Sequence, residues 1–289
     1  GLRAKFNLVL LFAFAVGLAV SGVISYSLLQ DNARQEIMQN AGIMMAAASA
    51  VRTYTVEKIS PLLVLQMRQE FRPESVPAFA ATDTFKRMRT AYPEYAYKEA
   101  ALNPTNPENR ATDWESDIIR YFRDNPQLAS HSGERWTPTG PSLYLARPFQ
   151  IKQAACLTCH SVPSAAPQTL LAKYGKTSGF GWKLNEVIGA QIVSIPMSVP
   201  INKANKAFYT FMASLFGVFL VLFIVLNLML TSIVLKPILK MSQAADQISM
   251  GKMDIAEFPV SGKDEVSVLM SSFNRMRRSL EKAMKLIDS

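Results

Sequence analysis

Cysteine and histidine are scarce in this chain, with two of each in 289 residues. Two cysteines cannot build the disulfide framework of a small secreted domain. With His131 as the one further histidine, too few ligands remain for a zinc cage. Acidic residues are outnumbered by basic ones, 22 to 31. The surplus divides into +2 over residues 1–29, +5 over 30–206 and +2 over 236–289. No segment therefore reads as a nucleic-acid-binding stripe, and no nucleic-acid partner is expected. Charge is absent altogether from two runs, Phe6 to Leu29 and Ala207 to Leu235. Each exceeds the roughly 20 residues that cross a bilayer. The first is too long for a signal peptide and lacks a small-x-small exit, so it is expected to be an uncleaved anchor in membrane lipid. Gly17 and Gly22 within it are candidates for a small-residue packing face. Arg3 and Lys5 precede the first run, which puts the N-terminus in the cytoplasm. Lys203 and Lys206 before the second run, against Lys236 and Lys240 after it, leave its direction open.

The two cysteines stand together, in Cys156-Leu157-Thr158-Cys159-His160. This is C-x-x-C-H, the attachment pattern of a c-type haem. Each element has a chemical role. The thiols add across the two vinyl groups, the spacer sets their separation, and His160 becomes the proximal iron ligand. A thioredoxin-like pair would want a βαβ context, and a disulfide across two residues is strained. Haem c is attached outside the cytoplasm, so residues 30–206 are expected on the outer side and residues 236–289 inside. The reading is a two-pass protein of a bacterial inner membrane, both termini cytoplasmic, with a periplasmic domain carrying one covalent haem c.

Within residues 30–206, Asp31 to about Met67 is expected to be helical, with Ala41, Met45, Ala48 and Arg52 on one face. Pro61 marks a bend or stop. Residues 78–92 and Asp113 to Arg123 read as further helices, the latter burying Ile118, Ile119 and Phe122. Asn103-Pro-Thr-Asn-Pro107 is a turn-rich connector. Ser142 to Arg147 alternates as a strand does, and Trp182-Lys-Leu184, a turn at Asn185-Glu186 and Val187 to Met197 read as a hairpin. The C-x-x-C-H stretch falls on a loop between strands. Helices followed by a small antiparallel sheet make an α+β domain. His131, flanked by loop residues, is expected to be a surface histidine.

Residues 30–200 resemble the extracytoplasmic c-type haem-binding domains with a PAS-like fold. The resemblance is carried by Arg52-Thr-Tyr54, Pro61-Leu-Leu, Asn103-Pro-Thr-Asn106, Trp114-Glu115, Tyr144-Leu-Ala-Arg147-Pro148, Cys156-Leu-Thr-Cys159-His160, Tyr174-Gly175, Gly179-Phe-Gly-Trp182 and Val187-Ile-Gly-Ala-Gln-Ile. It implies a PAS-like sheet with long N-terminal helices, one haem, and a sensory or redox role. Some relatives supply a cysteine from the N-terminal helix as the sixth iron ligand. This chain has none to spare; Met45 is a candidate in its place, and an open or water-bound position is the alternative. Arg52 and Arg147 are candidates for the haem propionates, and Tyr54 and Tyr144 for the porphyrin edge. Trp182 is expected to be an ordinary core aromatic.

After the second run, Ile238, Met241, Ala245 and Ile248 follow three-four spacing until Gly251, and Met253 to Val260 makes an extended connector. A second helix repeats Val266, Leu269, Phe273, Met276, Leu280, Ala283 and Ile287, the seam of a coiled coil. Asp264-Glu-Val266 and Phe273-Asn-Arg-Met276 resemble the second helix of a HAMP domain. Two such helices from each of two chains make a four-helix bundle, so a homodimer is expected. The division is an anchor (1–29), a haem-c domain (30–206), a second span (207–235) and a HAMP domain (236–289). The expected function is a non-enzymatic sensor that passes a redox or small-ligand signal through the second span to the HAMP dimer. The effector would act in trans or lie on a continuation of the chain. The alternative is a membrane-anchored monohaem electron-transfer cytochrome docked on a redox partner. Haem catalysis would need a distal acid–base group, and no histidine is placed for it.

Overall fold

Helix α1 (Leu2–Tyr54) opens the chain. The computed structural model describes residues 1–138, 140–252, 254–260 and 262–287. They form two units, residues 26–207 and residues 1–25 with 208–289.

Pro61 does not stop the first helix. The helix widens into a π-turn at Thr55–Ile59 and continues as α2 (Ser60–Gln69). A proline inside an α-helix has no N–H to donate, and its ring strikes the carbonyl four residues back. Widening the turn, with the Ser60 N–H donating to the Thr55 carbonyl, makes room for that ring. Side-chain hydroxyls occupy the loosened carbonyls: Thr55 Oγ1 donates to Val51 at 2.8 Å and Ser60 Oγ to Thr55 at 2.9 Å.

In the unit of residues 26–207, α3 (Pro77–Met88) is followed by β1 (Ala96–Ala101), α4 (Asp113–Asp124), β2 (His131–Thr137) and β3 (Gly140–Gln150). Then come α5 (Leu157–His160), α6 (Gln168–Tyr174) and β4 (Val187–Pro196). The four strands form one antiparallel sheet in the order β1-β4-β3-β2. Alternation along β4 serves two faces, as the period of two requires. Val193 and Ile195 pack with Met45 and Ala48 of α1 and Phe85 of α3. Ala190 and Ile192 pack with Ile119 and Phe122 of α4. A third cluster joins Phe71, Leu170 and Leu171 beside Cys159.

Two sequence expectations are corrected, and one strand was not anticipated. Trp182 to Leu184 is not a strand arm, because the Gly181 and Trp182 N–H groups donate to the Ser161 and His160 carbonyls and Asn185 takes φ 65°. Residues 96–101, left without a strand assignment by the sequence, form β1. His131 begins β2 rather than lying in a loop, with its ring 4.6 Å from that of Tyr121.

The other unit contains the apolar part of α7 (Ser198–Met229), then α8 (Lys236–Ser249) and α9 (Glu265–Ile287). Two helices of the chain, beginning at Leu2 and at Ser198, are long and apolar enough to cross a membrane. Phe14 stacks on Phe219 at 4.8 Å, Gly17 faces Phe219 and Gly22 faces Met212. Between α7 and α8, a second π-turn at Leu230–Leu235 precedes Pro237, and the Lys236 N–H donates to the Thr231 carbonyl. Helix α8 ends at Ser249, two residues before Gly251, which takes φ 82°. Its buried stripe is Met241, Ala244 and Ile248; Ala244 takes the place expected for Ala245, and Ile238 is exposed. Asn274 of α9 is buried and grips the connector, accepting from the Phe258 N–H at 3.1 Å and donating to its carbonyl at 2.9 Å. Leu269, Met276 and Leu280 on α9 remain exposed, and a groove of about 330 Å³ runs past Ala245, Ile248, Met276 and Leu280. Met253 and the Ile287 side chain lie outside the described residues.

Candidate functional site

Cys156, Cys159 and His160 sit between β3 and β4, on a 3-10 turn at Ala154–Cys156 that runs into the four-residue α5. All three line one cavity of about 810 Å³. Clefts of roughly 300–1,000 Å³ hold small molecules and cofactors. Much of the wall is apolar: Val56, Val64, Phe71, Phe149, Ile151 and Ile188. Val56 belongs to the π-turn, so the widened part of the helix forms one side.

His160 is held on several sides. Its Nδ1 lies 2.8 Å from the Gly179 carbonyl. A carbonyl only accepts, so Nδ1 carries the proton and Nε2 keeps its lone pair. Thr105 Oγ1 is 3.3 Å from the same nitrogen. The Trp182 ring stacks on the imidazole at 3.9 Å and 15°. Burial pulls the imidazole pKa down, opposed by the Gly179 hydrogen bond. The ring is therefore neutral at neutral pH, the state a metal ligand needs. Burial, then the neighbouring Cys156, pushes the Cys159 thiol up, away from the thiolate.

Among the described residues no group of three or more His, Cys, Asp and Glu side chains could hold a bare metal ion. Cys156, Cys159 and His160 offer the cavity two thiols and an imidazole, the donor types that a tethered group with an imidazole-bound metal would use. The cavity also holds an orphan: Thr82 Oγ1 of α3 is buried on its wall without a partner among the described residues.

Of the residues singled out in the sequence, Arg52, Cys156, Cys159 and His160 come together at this cavity. The Arg52 guanidinium pairs with the buried Glu99 carboxylate and lies 4.7 Å over the Phe149 ring. Trp182, expected in the core, lines it too, and the structure does not bring the remaining candidates Tyr54, Tyr144, Arg147 and Met45 there. Tyr54 is exposed on α1. Tyr144 packs with Trp114 and His131. Arg147 pairs with Gln191 in the ladder and is not among the lining residues. Met45 is fully buried between α1 and the sheet, away from the cavity lining. The methionine on the cavity wall is Met67, whose sulfur accepts from the Arg72 N–H at 3.1 Å and the Ser75 hydroxyl at 3.4 Å. Met45→Ala is accordingly expected to cost about 2–5 kcal/mol of stability, as truncation of a fully buried methionine does. The visible and near-infrared spectrum of the pigmented protein should stay unchanged. A thermal melt and an absorption spectrum of the same sample check both halves.

Sequence patterns alone set Trp182 aside as core and give no role to Asn103, Thr105 or Gly179. The signal is present in two glycines flanking Phe180 and an Asn-Pro-Thr turn, but it acquires meaning only when the two loops meet.

No curated protein matches the chain. A solved structure, the cyanobacterial heme-protein Tll0287, is similar over 56% of this chain and 95% of its own, at 17% identity and a TM-score of 0.44. The HAMP domain family matches residues 229–282. The Tll0287-like family matches residues 30–196, which is more than half of the chain and takes in the whole cavity; the protein belongs to the Tll0287-like family and carries a HAMP domain after it.

Proposed function

We propose that this protein is a membrane-anchored haem-c sensor that passes a redox or small-ligand signal to a HAMP dimer. One observation carries the reading: the C-x-x-C-H thiols and imidazole face a cavity of about 810 Å³, with His160 Nδ1 tied to a carbonyl and Nε2 left for a metal. Haem c, when bound, supplies a one-electron iron centre. The chain's own residues do the rest. Cys156 and Cys159 tether the group, His160 offers Nε2, and the apolar wall excludes water. Arg52 brings a cation toward the propionates from the wall it shares with Glu99. The four-stranded antiparallel sheet with helices on both faces supports the PAS-like reading. The two apolar helices support two spans. Covalent attachment of haem outside the cytoplasm would put the haem-c domain on the periplasmic side.

The uncovered apolar positions of α9, with the groove beside them, support a homodimer. A narrow apolar seam is buried when a second copy supplies its helices. HAMP-like bundles can then repack between arrangements a few kcal/mol apart. A signal at the haem shifts that balance only as far as it favours one arrangement.

The test places single cysteines at Leu269, Met276 or Leu280 and cross-links membranes with a bifunctional maleimide, under oxidising and reducing conditions. Cross-linked dimers are expected, with a pattern that differs between the two conditions. The same pattern in both ends the redox-sensing reading, and no cross-link in either ends the dimer.

A further inference from the structure

We infer that Asn103 is a positioning residue for His160, acting through the Gly179-Phe180 backbone, and so sets the electron donation of that imidazole to its iron. The inference rests on the haem reading above and gives a role to the Asn103-Pro-Thr105 and Gly179-Phe-Gly-Trp182 motifs.

The Asn103 amide makes two opposed hydrogen bonds to the segment facing His160. Its Oδ1 accepts from the Gly179 N–H at 3.1 Å, and its Nδ2 donates to the Phe180 carbonyl at 3.1 Å. Together they fix the peptide between these residues, whose near carbonyl is the Gly179 oxygen that accepts from His160 Nδ1 at 2.8 Å. Gly179 sits at φ +83°, and a Cβ there would lie 2.8 Å from Thr105 Cα, so only glycine fits. The same segment is laced to the ligand helix from the other side. The Gly181 N–H donates to the Ser161 carbonyl at 2.8 Å and the Trp182 N–H to the His160 carbonyl at 3.2 Å.

A hydrogen bond to the far nitrogen of a ligating histidine fixes its tautomer and ring orientation and raises its basicity. A more basic imidazole favours the ferric state. Asn103 makes no hydrogen bond to His160 itself. It determines where the acceptor stands.

Asn103→Ala leaves the Gly179 carbonyl free to swing from Nδ1, and Asn103→Ser keeps at most one of the two bonds. In the full chain, purified in detergent, both should raise the reduction potential. The oxidised-to-reduced ratio at fixed potential should fall about tenfold, or about 59 mV for one electron. The loss is larger for alanine. Potential, melting temperature and haem remaining after denaturation are read on each sample. A variant that keeps its haem and melts earlier at an unchanged potential shows a structural role only and overturns the inference. If alanine does not accumulate as pigmented protein, the serine variant carries the same test. Wild-type chain without covalent haem fails the underlying reading instead, and that is seen before any variant is compared.

Discussion

Replacing Cys156 and Cys159 together by serine is expected to give a chain that loses all its colour on denaturation. Expressed in cells that mature c-type cytochromes, the wild type should keep its pigment through denaturing electrophoresis. The expectation follows from the position of both thiols on one cavity wall with His160 beside them. A thioether survives unfolding, whereas an iron–imidazole bond does not hold haem to an unfolded chain. Each single serine variant should retain pigment through the remaining thioether, in lower yield. Burial, then the neighbouring Cys156, pushes the Cys159 pKa up, toward the protonated thiol. The effect is all-or-none for the double variant, and in-gel haem peroxidase staining measures it. A wild-type band without stain removes the haem-c assignment, whatever the variants do.

Arg52→Ala should be the most damaging single change outside that motif. Glu99 is 3% exposed on β1 and has two partners, Arg52 and the Tyr97 hydroxyl, which donates at 2.7 Å. Tyr97 stays protonated, because burial and then the Glu99 charge push its pKa far up; Gln191 donates to the same hydroxyl at 3.2 Å. Without the guanidinium, a buried carboxylate is left with one neutral donor. Breaking a buried pair from one side costs about 3–5 kcal/mol. At about 2–4 °C per kcal/mol for a domain of this size, the melting temperature should fall by roughly 6–20 °C. Glu99→Gln in the same chain removes the stranded charge and should recover much of the loss. Arg52→Lys keeps the charge but gives up the forked geometry and the Phe149 stacking, so it should fall between. A double variant no more stable than Arg52→Ala would show that Glu99 is not the group Arg52 serves.

The helices were legible because their apolar residues recur at helical spacing. Ala41, Met45 and Ala48 are all fully buried, and the helix over Asp113–Asp124 matches expectation closely. Strands β3 and β4 were legible through apolar alternation. Strand β1 was not. Its sequence, Ala-Tyr-Lys-Glu-Ala-Ala, has little of the β-branched content that marks a strand. Its charges are satisfied from far away in sequence: Lys98 by Glu115 at 2.7 Å and Glu99 by Arg52. Strand β2 was hidden likewise, because Gly133 is there to admit the Tyr144 ring, a cross-strand requirement with no local trace. At the site the covalent motif was plain in five consecutive residues. The surroundings of His160 were not, since Asn103 and Gly179 are 76 positions apart. Met45 shows the opposite failure: helical spacing identifies a buried face correctly but does not say whether that face meets a cofactor or a sheet.

The two π-turns each come just before a proline, Pro61 in one case and Pro237 in the other. Each surplus residue and its proline are mutually dependent defects. Deleting a residue from the turn alone would restore regular winding and drive the pyrrolidine into the backbone behind it. It would also swing everything downstream by about 100°. Exchanging the proline alone would leave a widened loop with no reason to stay wide. Natural variation at these places should therefore come in couples, with the imino acid and the extra residue gained or lost together.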